Sequence, residues 1–273
     1  MSNIQNIILD FDGTLTDTDK ESIPAINKWH ELFCEKTHTD ITDHVSEIKK
    51  AVNEIILDEK SGWIKNGKVI APATADPFVL ITTAYQKTIQ KYINEEKYPL
   101  AQNQQSIDAL LYELFTKSYT YADTVFRPGA KEFLDELYNK YEVVIATNSK
   151  TDSVEKKLNQ LTNYKIPIIG NAKKYEIDNI VVTVPESINL ENFPRPIFLR
   201  RLYYYNILNE FNSKNTTVIG DIYELDLALP EYLKFKTIQI ETPTTPKYEK
   251  ERKNTLTHSF AKDYDTILTI LKK

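Results

Sequence analysis

A short apolar run, Ile4 to Phe11, breaks at an Asp-Gly pair, and runs of similar character return four times along the chain. They are Glu142 to Thr147 (EVVIAT), Ile166 to Ile169 (IPII), Thr216 to Gly220 (TTVIG) and Thr237 to Ile240 (TIQI). Short β-branched runs of this kind predict strands buried on both faces, the condition of a parallel sheet. Helical spacing fills most of the intervals. Ala130 to Lys140 brings Phe133, Leu134, Leu137 and Tyr138 to one side after Arg127-Pro128-Gly129. Ile197 to Phe211 does the same with Ile197, Leu202, Tyr205, Leu208 and Phe211, and a final helix from Ala261 to Leu271 closes the core. Strands alternating with helices predict an α/β fold, a Rossmann-like doubly wound parallel sheet covered on both faces.

Between Thr18 and Asp123 the strand pattern disappears. Helical spacing there predicts four to five helices, at about Lys20 to Lys36, Ile41 to Leu57, Pro77 to Asn94 and Gln104 to Tyr119. The expected organisation is therefore a core of residues 1–17 and 124–273 with a mostly α-helical cap, 18–123, inserted in it. Within the cap, Gly62 to Pro72 carries an Asn-Gly pair between apolar residues, read as a simple turn in preference to a small hairpin. Glu241 to Arg252, polar and Pro-bearing, reads as an exposed loop.

Composition removes several classes of function. With 41% hydrophobic and 27% charged residues in 273, the chain has enough apolar surface for a core. Its 34 basic against 39 acidic residues give a net charge of −5, the wrong sign for a general nucleic-acid binder. Cys34 is the only cysteine, so neither an internal disulfide nor a multi-Cys zinc site is available. His30, His38, His44 and His258 lack metal-ligand spacing, and His30 reads as a packing residue. No apolar run approaches membrane-spanning length, and the start lacks the features of a cleaved signal, so a reducing, cytoplasmic compartment is the expectation.

The first strand ends in Asp10-Phe11-Asp12-Gly13-Thr14. Two carboxylates two residues apart emerge close together there, and Gly13 permits a sharp reversal beside them. This arrangement suits metal-assisted phosphoryl transfer, in which one carboxylate attacks phosphorus while magnesium screens the charge and the other protonates the leaving oxygen. A plain Asx turn uses the same residue types.

The motif resembles the D-x-D-G-T signature of phosphatases in the haloacid dehalogenase superfamily. Val143 to Ser149 (VVIATNS) is similar to the family's second motif, a strand ending in Thr or Ser, and Arg127-Pro128-Gly129 to its usual lead-in. Gly220-Asp221-Ile222-Tyr223-Glu224-Leu225-Asp226 has the GDxxxxD form of the fourth, although Ile222 departs from the common G-D-S. The resemblance implies a magnesium-dependent phosphomonoester hydrolase working through a covalent aspartyl-phosphate. Asp10 is then nucleophile and metal ligand, and Asp12 is the general acid and base whose carbonyl also binds the metal. Thr147 and Asn148 bind the phosphoryl group. Asp221 completes magnesium coordination, and Asp226 binds the metal through water or orients Asp221. Glu224 could stand in for Asp226, though an exposed helix-start carboxylate is its commoner reading.

The family's third motif, a Lys usually followed by Pro, has no direct match. Lys173-Lys174, after the third strand, and Arg195-Pro196, at the expected opening of the helix before the fourth motif, are the alternatives. The lysine pair is preferred because an ammonium serves as a point charge. Arg200-Arg201 reads as a solvated helix face, and Tyr203-Tyr204-Tyr205 as rings spread around a helix for packing. A phosphomutase and a degenerate regulatory or binding protein are the alternative functions. Dehalogenases of the superfamily lack an acid at the position of Asp12. The expected substrate is a small phosphorylated metabolite, with a phosphotyrosine-bearing protein as second choice.

Overall fold

The computed structural model describes residues 5–95, 104–178, 183–252 and 254–272; Ile4, the expected start of the first strand, lies outside them. In chain order the elements begin with β1 (Asn6–Leu9), α1 (Thr18–Thr37), α2 (Ile41–Leu57), β2 (Gly62–Lys65), β3 (Lys68–Pro72), α3 (Pro77–Asn94) and α4 (Gln104–Tyr119). Then follow α5 (Ala130–Lys140), β4 (Glu142–Ala146), α6 (Thr151–Leu161), β5 (Ile168–Ile169), β6 (Ser187–Ile188), β7 (Ile197–Phe198) and α7 (Leu202–Asn209). After β8 (Thr216–Gly220) comes a π-helical turn (Tyr223–Leu227), then α8 (Ala228–Tyr232), β9 (Lys236–Ile240), α9 (Lys247–Lys250), β10 (His258–Ala261) and α10 (Tyr264–Leu271). The chain divides into two compact units, Met1–Asp17 with Ile64–Pro72 and Phe126–Lys273, and Thr18–Trp63 with Ala73–Val125.

The first unit is built on a six-stranded sheet of order β10-β9-β8-β1-β4-β5, parallel throughout. β1 lies between β4 and β8, with Leu9 opposite Ile145 on one side and Ile219 on the other. The two-residue period of the strands explains the two cores. Ile7, Leu9, Val143 and Ile145 face α5, α6 and α10 through Phe133, Leu134, Leu137, Val154 and Ile267. Ile8, Val144, Ala146 and Val218 face the opposite side, against Tyr204 and Leu208 of α7 and Leu229 of α8. The α/β class expected from sequence is thus realised.

Four local expectations are corrected. Gly62 to Pro72 is a hairpin, not a simple turn, because Asn66 (φ 51) and Gly67 (φ 73) both take the left-handed conformation a two-residue connection needs. Helix does not extend over Ile197 to Phe211; Ile197 and Phe198 pair with β6, and α7 begins only at Leu202. The closing segment is not one helix from Ala261, since His258–Ala261 adds a sixth strand before Asp263 caps α10. Glu241 to Arg252 is not simply an exposed loop, for α9 buries Tyr248 and Glu249.

The second unit contains four α-helices among the described residues, packed around Trp29, Phe33, Ile48, Tyr85, Leu111 and Leu114. Asp40 caps α2, and Asp76 caps α3 with Pro77 in its first turn. His30 and His44 are buried there, as the packing reading of His30 expects, and their rings meet the Tyr85 hydroxyl at 2.7 and 2.8 Å. One hydroxyl can donate to one imidazole and accept from the other, so these two ring nitrogens are paired while both rings are neutral, although His44 Nδ1 is buried without a partner. Burial accordingly pushes both imidazoles down to about 4.

Candidate active site

The site is built at the carboxyl ends of β1, β4 and β8. Beyond Leu9 the Asp10 N–H still donates to Ile219 O at 2.8 Å, which fixes the place where the chain leaves the sheet. Gly13 then turns with φ 85, and a Cβ there would lie 2.2 Å from Asp221 Oδ2. Only glycine fits both the conformation and the approach. Downstream, the π-helical turn carries Asp226 back over the end of β8, where a Cβ on Gly220 would meet Asp226 Cβ at 2.5 Å. Asp226 Oδ2 accepts the Ile222 N–H at 3.0 Å, closing that turn.

Carboxylate oxygens of Asp10, Asp221 and Asp226 all lie within 4.8 Å of one another. Lys174 Nζ donates to Asp10 Oδ1 at 2.7 Å and to Asp226 Oδ1 at 2.8 Å. Thr14 Oγ1 joins the other side, donating toward Asp10 Oδ2 at 3.1 Å and Asp221 Oδ1 at 3.3 Å. One ammonium therefore pairs with two of the three clustered carboxylates. Burial and the neighbouring Asp226 push the Asp10 carboxyl up to about 7, against the pull of Lys174. Burial, Asp226 and Asp10 likewise raise the Asp221 carboxyl. For Lys174, burial acts against the charge, but Asp10 and Asp226 more than offset it and hold the ammonium above its ordinary range.

Asp12 points to a neighbouring group. Its Oδ2 accepts from Thr147 Oγ1 at 3.0 Å, and Lys157 Nζ stands 3.7 Å from Oδ1. The same Thr147 oxygen accepts the Ser149 N–H at 3.0 Å, and Asn148 Oδ1 accepts the Lys174 N–H at 2.8 Å. The loop after β4 and the loop holding Lys174 are thus laced together.

Of the alternative cations, Lys174 is the one brought to Asp10 and Asp226. Lys173 Nζ lies over the Tyr203 ring at 4.1 Å and 3.7 Å from Glu176 Oε1. Arg195, in a loop rather than at a helix opening, pairs with Glu224 Oε1 at 2.5 Å and donates to Tyr248 Oη at 3.1 Å. That pairing corrects the reading of Glu224 as exposed, since only 1% of its surface is accessible. Arg201 is also not a surface charge; it is fully buried. Among the tyrosines, Tyr204 packs inside while Tyr203 remains exposed.

Several participants gave little sequence signal. Arg127 donates to Gly13 O at 3.0 Å and to Glu241 O at 2.6 Å, tying down the turn; its place in Arg-Pro-Gly was visible, its target was not. Tyr264 Oη donates to Thr14 O at 2.7 Å, and Gln239 Nε2 to Asp221 O at 3.0 Å. Both come from segments with no motif.

The donor set fits a hard divalent cation. Its atoms are carboxylate oxygens, the ligands magnesium prefers, and burial together with the neighbouring carboxylates raises Asp10 and Asp221.

The sequence matches the family model described as haloacid dehalogenase-like hydrolase over residues 4–228. No curated protein matches it. Similar solved structures include the HAD-hydrolase YfnB from Bacillus subtilis bound to magnesium, 13% identical over 99% of each chain with a TM-score of 0.55. A predicted phosphoglycolate phosphatase from Haemophilus somnus 129PT is 16% identical over 99% of each chain, with a TM-score of 0.51. A predicted phosphatase from Clostridium acetobutylicum is 14% identical over 99% of each chain, with a TM-score of 0.50. At such identities the likeness shows the fold.

Proposed function

The chain belongs to the haloacid dehalogenase-like hydrolase family, and on that footing we propose that it is a magnesium-dependent phosphomonoesterase using Asp10 as covalent nucleophile. The observation carrying this reading is the pairing of two differently placed carboxylates at the end of β1. Asp10 lies in the Lys174–Asp221–Asp226 cluster, whereas Asp12 stands outside it on Thr147. Environments that separate two carboxyl groups suit them to separate tasks.

Asp10, Asp221 and Asp226, with the Asp12 carbonyl, are the groups to hold the magnesium ion, with Asp226 acting directly or through water. Bound there, the ion supplies charge screening between an anionic substrate and an anionic nucleophile. In the first half-reaction an Asp10 carboxylate oxygen bonds to phosphorus as the bond to the ester oxygen breaks, and Asp12 gives that oxygen its proton. In the second, water attacks phosphorus, Asp12 takes a proton from it, and the acyl phosphate bond breaks to release phosphate and the Asp10 carboxylate. Thr147 and Asn148 would bind and orient the phosphoryl group, and Lys174 would hold the nucleophile in place while balancing its charge. The choice of a phosphate ester over a haloacid rests on Asp12, because a leaving alkoxide needs a proton and a leaving halide does not.

Aryl phosphate hydrolysis with and without magnesium, followed by a panel of phosphosugars, nucleotides, phospho-amino acids and phosphopeptides, tests the reading. Asp10→Asn should eliminate turnover with an unchanged thermal transition. Acid-quenched wild-type enzyme should carry one base-labile phosphoryl group on the Asp10 peptide. Turnover undiminished in excess chelator, or in Asp10→Asn, would reject it. Return of the phosphoryl group to an added product, rather than to water, would instead indicate a mutase.

A further inference from the structure

Among the described residues, Arg201 is the most deeply buried charge outside the carboxylate cluster, with no accessible surface. Its nitrogens donate to three backbone carbonyls drawn from separate parts of the chain. Nε donates to Phe198 O at 3.0 Å, one terminal nitrogen to Ile70 O at 3.0 Å, and the other to Lys174 O. A buried guanidinium is tolerated only when its donors are used, and its planar fork holds several acceptors at fixed angles as no other side chain does. Burial pushes this group down to about 10, which leaves it charged at neutral pH. Lys174 is held at its other end too, since its N–H is the one accepted by Asn148 Oδ1. The loop leading into it is unrelaxed, with Asn171 (φ 51) and Lys173 (φ 47) both left-handed without being glycine. Such a conformation persists only where the surroundings impose it.

A residue three positions on serves the same pair of charges. Tyr204 Oη donates to Asp226 O at 2.7 Å, and its ring centroid lies 5.3 Å from Lys174 Nζ. The start of α7 therefore grips both Lys174 and its partner Asp226. We infer that Arg201 is the positioning residue of Lys174. Through the Lys174 carbonyl it fixes the reach of the ammonium to Asp10, and through the Ile70 carbonyl it uses strand β3 as the opposite anchor. Its effect on turnover rests on the phosphatase reading above. A rival role, a staple for the hairpin alone, needs Arg201 as well but has no reason to act through Lys174.

The two roles differ in a double-mutant cycle of Arg201→Lys and Lys174→Met, measured with an aryl phosphate and magnesium on variants shown to fold. Arg201→Lys should lower kcat by about tenfold with little change in KM, and in the Lys174→Met background it should cost less than about twofold. Multiplying losses in the double variant would overturn the proposal. A second readout needs no turnover. Acetylation of Lys174 relative to the exposed Lys156, followed by peptide mass spectrometry on metal-free protein, should be slow in the wild type. It should rise by about tenfold or more in Arg201→Lys, because protection follows local opening. Arg201→Gln, which removes the charge and the fork, should raise it further and serves if Arg201→Lys does not fold. Unchanged acetylation refutes the positioning role. If the wild type hydrolyses no phosphate ester, the functional reading falls while the acetylation result still decides the role of Arg201.

Discussion

Replacing Lys174 by Met keeps much of the side chain's volume and removes its charge, leaving Asp10 and Asp226 without the ammonium that now lies 2.7 and 2.8 Å from them. At an effective dielectric of about 20, a pair at this separation is worth roughly 6 kcal/mol before desolvation is counted. Most of that is offset by the cost of burying the charges, and breaking one side of a buried pair typically costs about 3–5 kcal/mol because the other side is stranded. We expect metal-free Lys174→Met to lose about 3 kcal/mol at pH 8. The loss should shrink toward pH 5. Without the ammonium that lowers it, Asp10 rises above its wild-type value of about 7, so the variant's folded form takes up more protons than the wild type's and the difference in stability narrows as pH falls. Turnover of the magnesium-loaded variant should fall by about a hundredfold, the scale for losing one preorganised electrostatic group. Urea titrations at pH 5, 6.5 and 8 and single-turnover rates measure both. A destabilisation independent of pH, or a rate within about threefold of wild type, would refute the reasoning.

Gly13→Ala should abolish turnover and weaken magnesium binding, read by calorimetry, since its Cβ would press on Asp221 Oδ2 at 2.2 Å; normal affinity would contradict the close approach. Thr147→Val removes the bond to Asp12 Oδ2 and should lower kcat by about tenfold to a hundredfold, whereas a kcat within about twofold of wild type would detach Thr147 from the reaction. Acidification of metal-free protein from pH 7 to 5 should loosen the packing of α1, α2 and α3, which His30, His44 and Tyr85 join, because the folded-state values of His30 and His44, about 4, lie below the usual 6.5 of the unfolded chain. Their stabilisation is complete above 6.5 and is lost as pH falls toward 4, by up to about 1.4 kcal/mol per pH unit for each ring. Over the same range Glu249, raised by burial to about 8, should steady the segment it packs in; hydrogen exchange corrected for intrinsic rates reads both, and equal changes in the two regions would be wrong.

The central strands were legible because most residues of β1, β4, β8 and β9 are buried on both faces, which favours short runs rich in β-branched residues. β10 was not, since His258-Ser259-Phe260-Ala261 lies at the edge of the sheet, where one neighbour suffices and the sequence is freer. The hairpin was underestimated for a different reason. Asn66-Gly67 announces the turn, but the Arg201 guanidinium that meets Ile70 O lies more than a hundred residues away in the chain. Arg201 itself reads as a surface residue in isolation, because nothing local foretells three carbonyls converging on it.

The same distinction separates the parts of the site. Asp10, Asp12 and Asp221 stand at or just beyond strand ends, so pairing within the sheet determines where their backbones go, and two-residue or glycine spacing determines how closely they meet. Lys174 follows β5, a strand of two residues, and is delivered by a loop with two left-handed non-glycine residues. Spacing there carries no geometric information: a register change of one residue would have presented Lys173, whose ammonium instead lies over Tyr203. What selects Lys174 is the set of groups that receive its backbone, Asn148 at the N–H and Arg201 at the carbonyl. The cation's place is therefore encoded by its holders rather than by a motif around the lysine, and the loop sequence can depart from Lys-Pro while those two clamps persist.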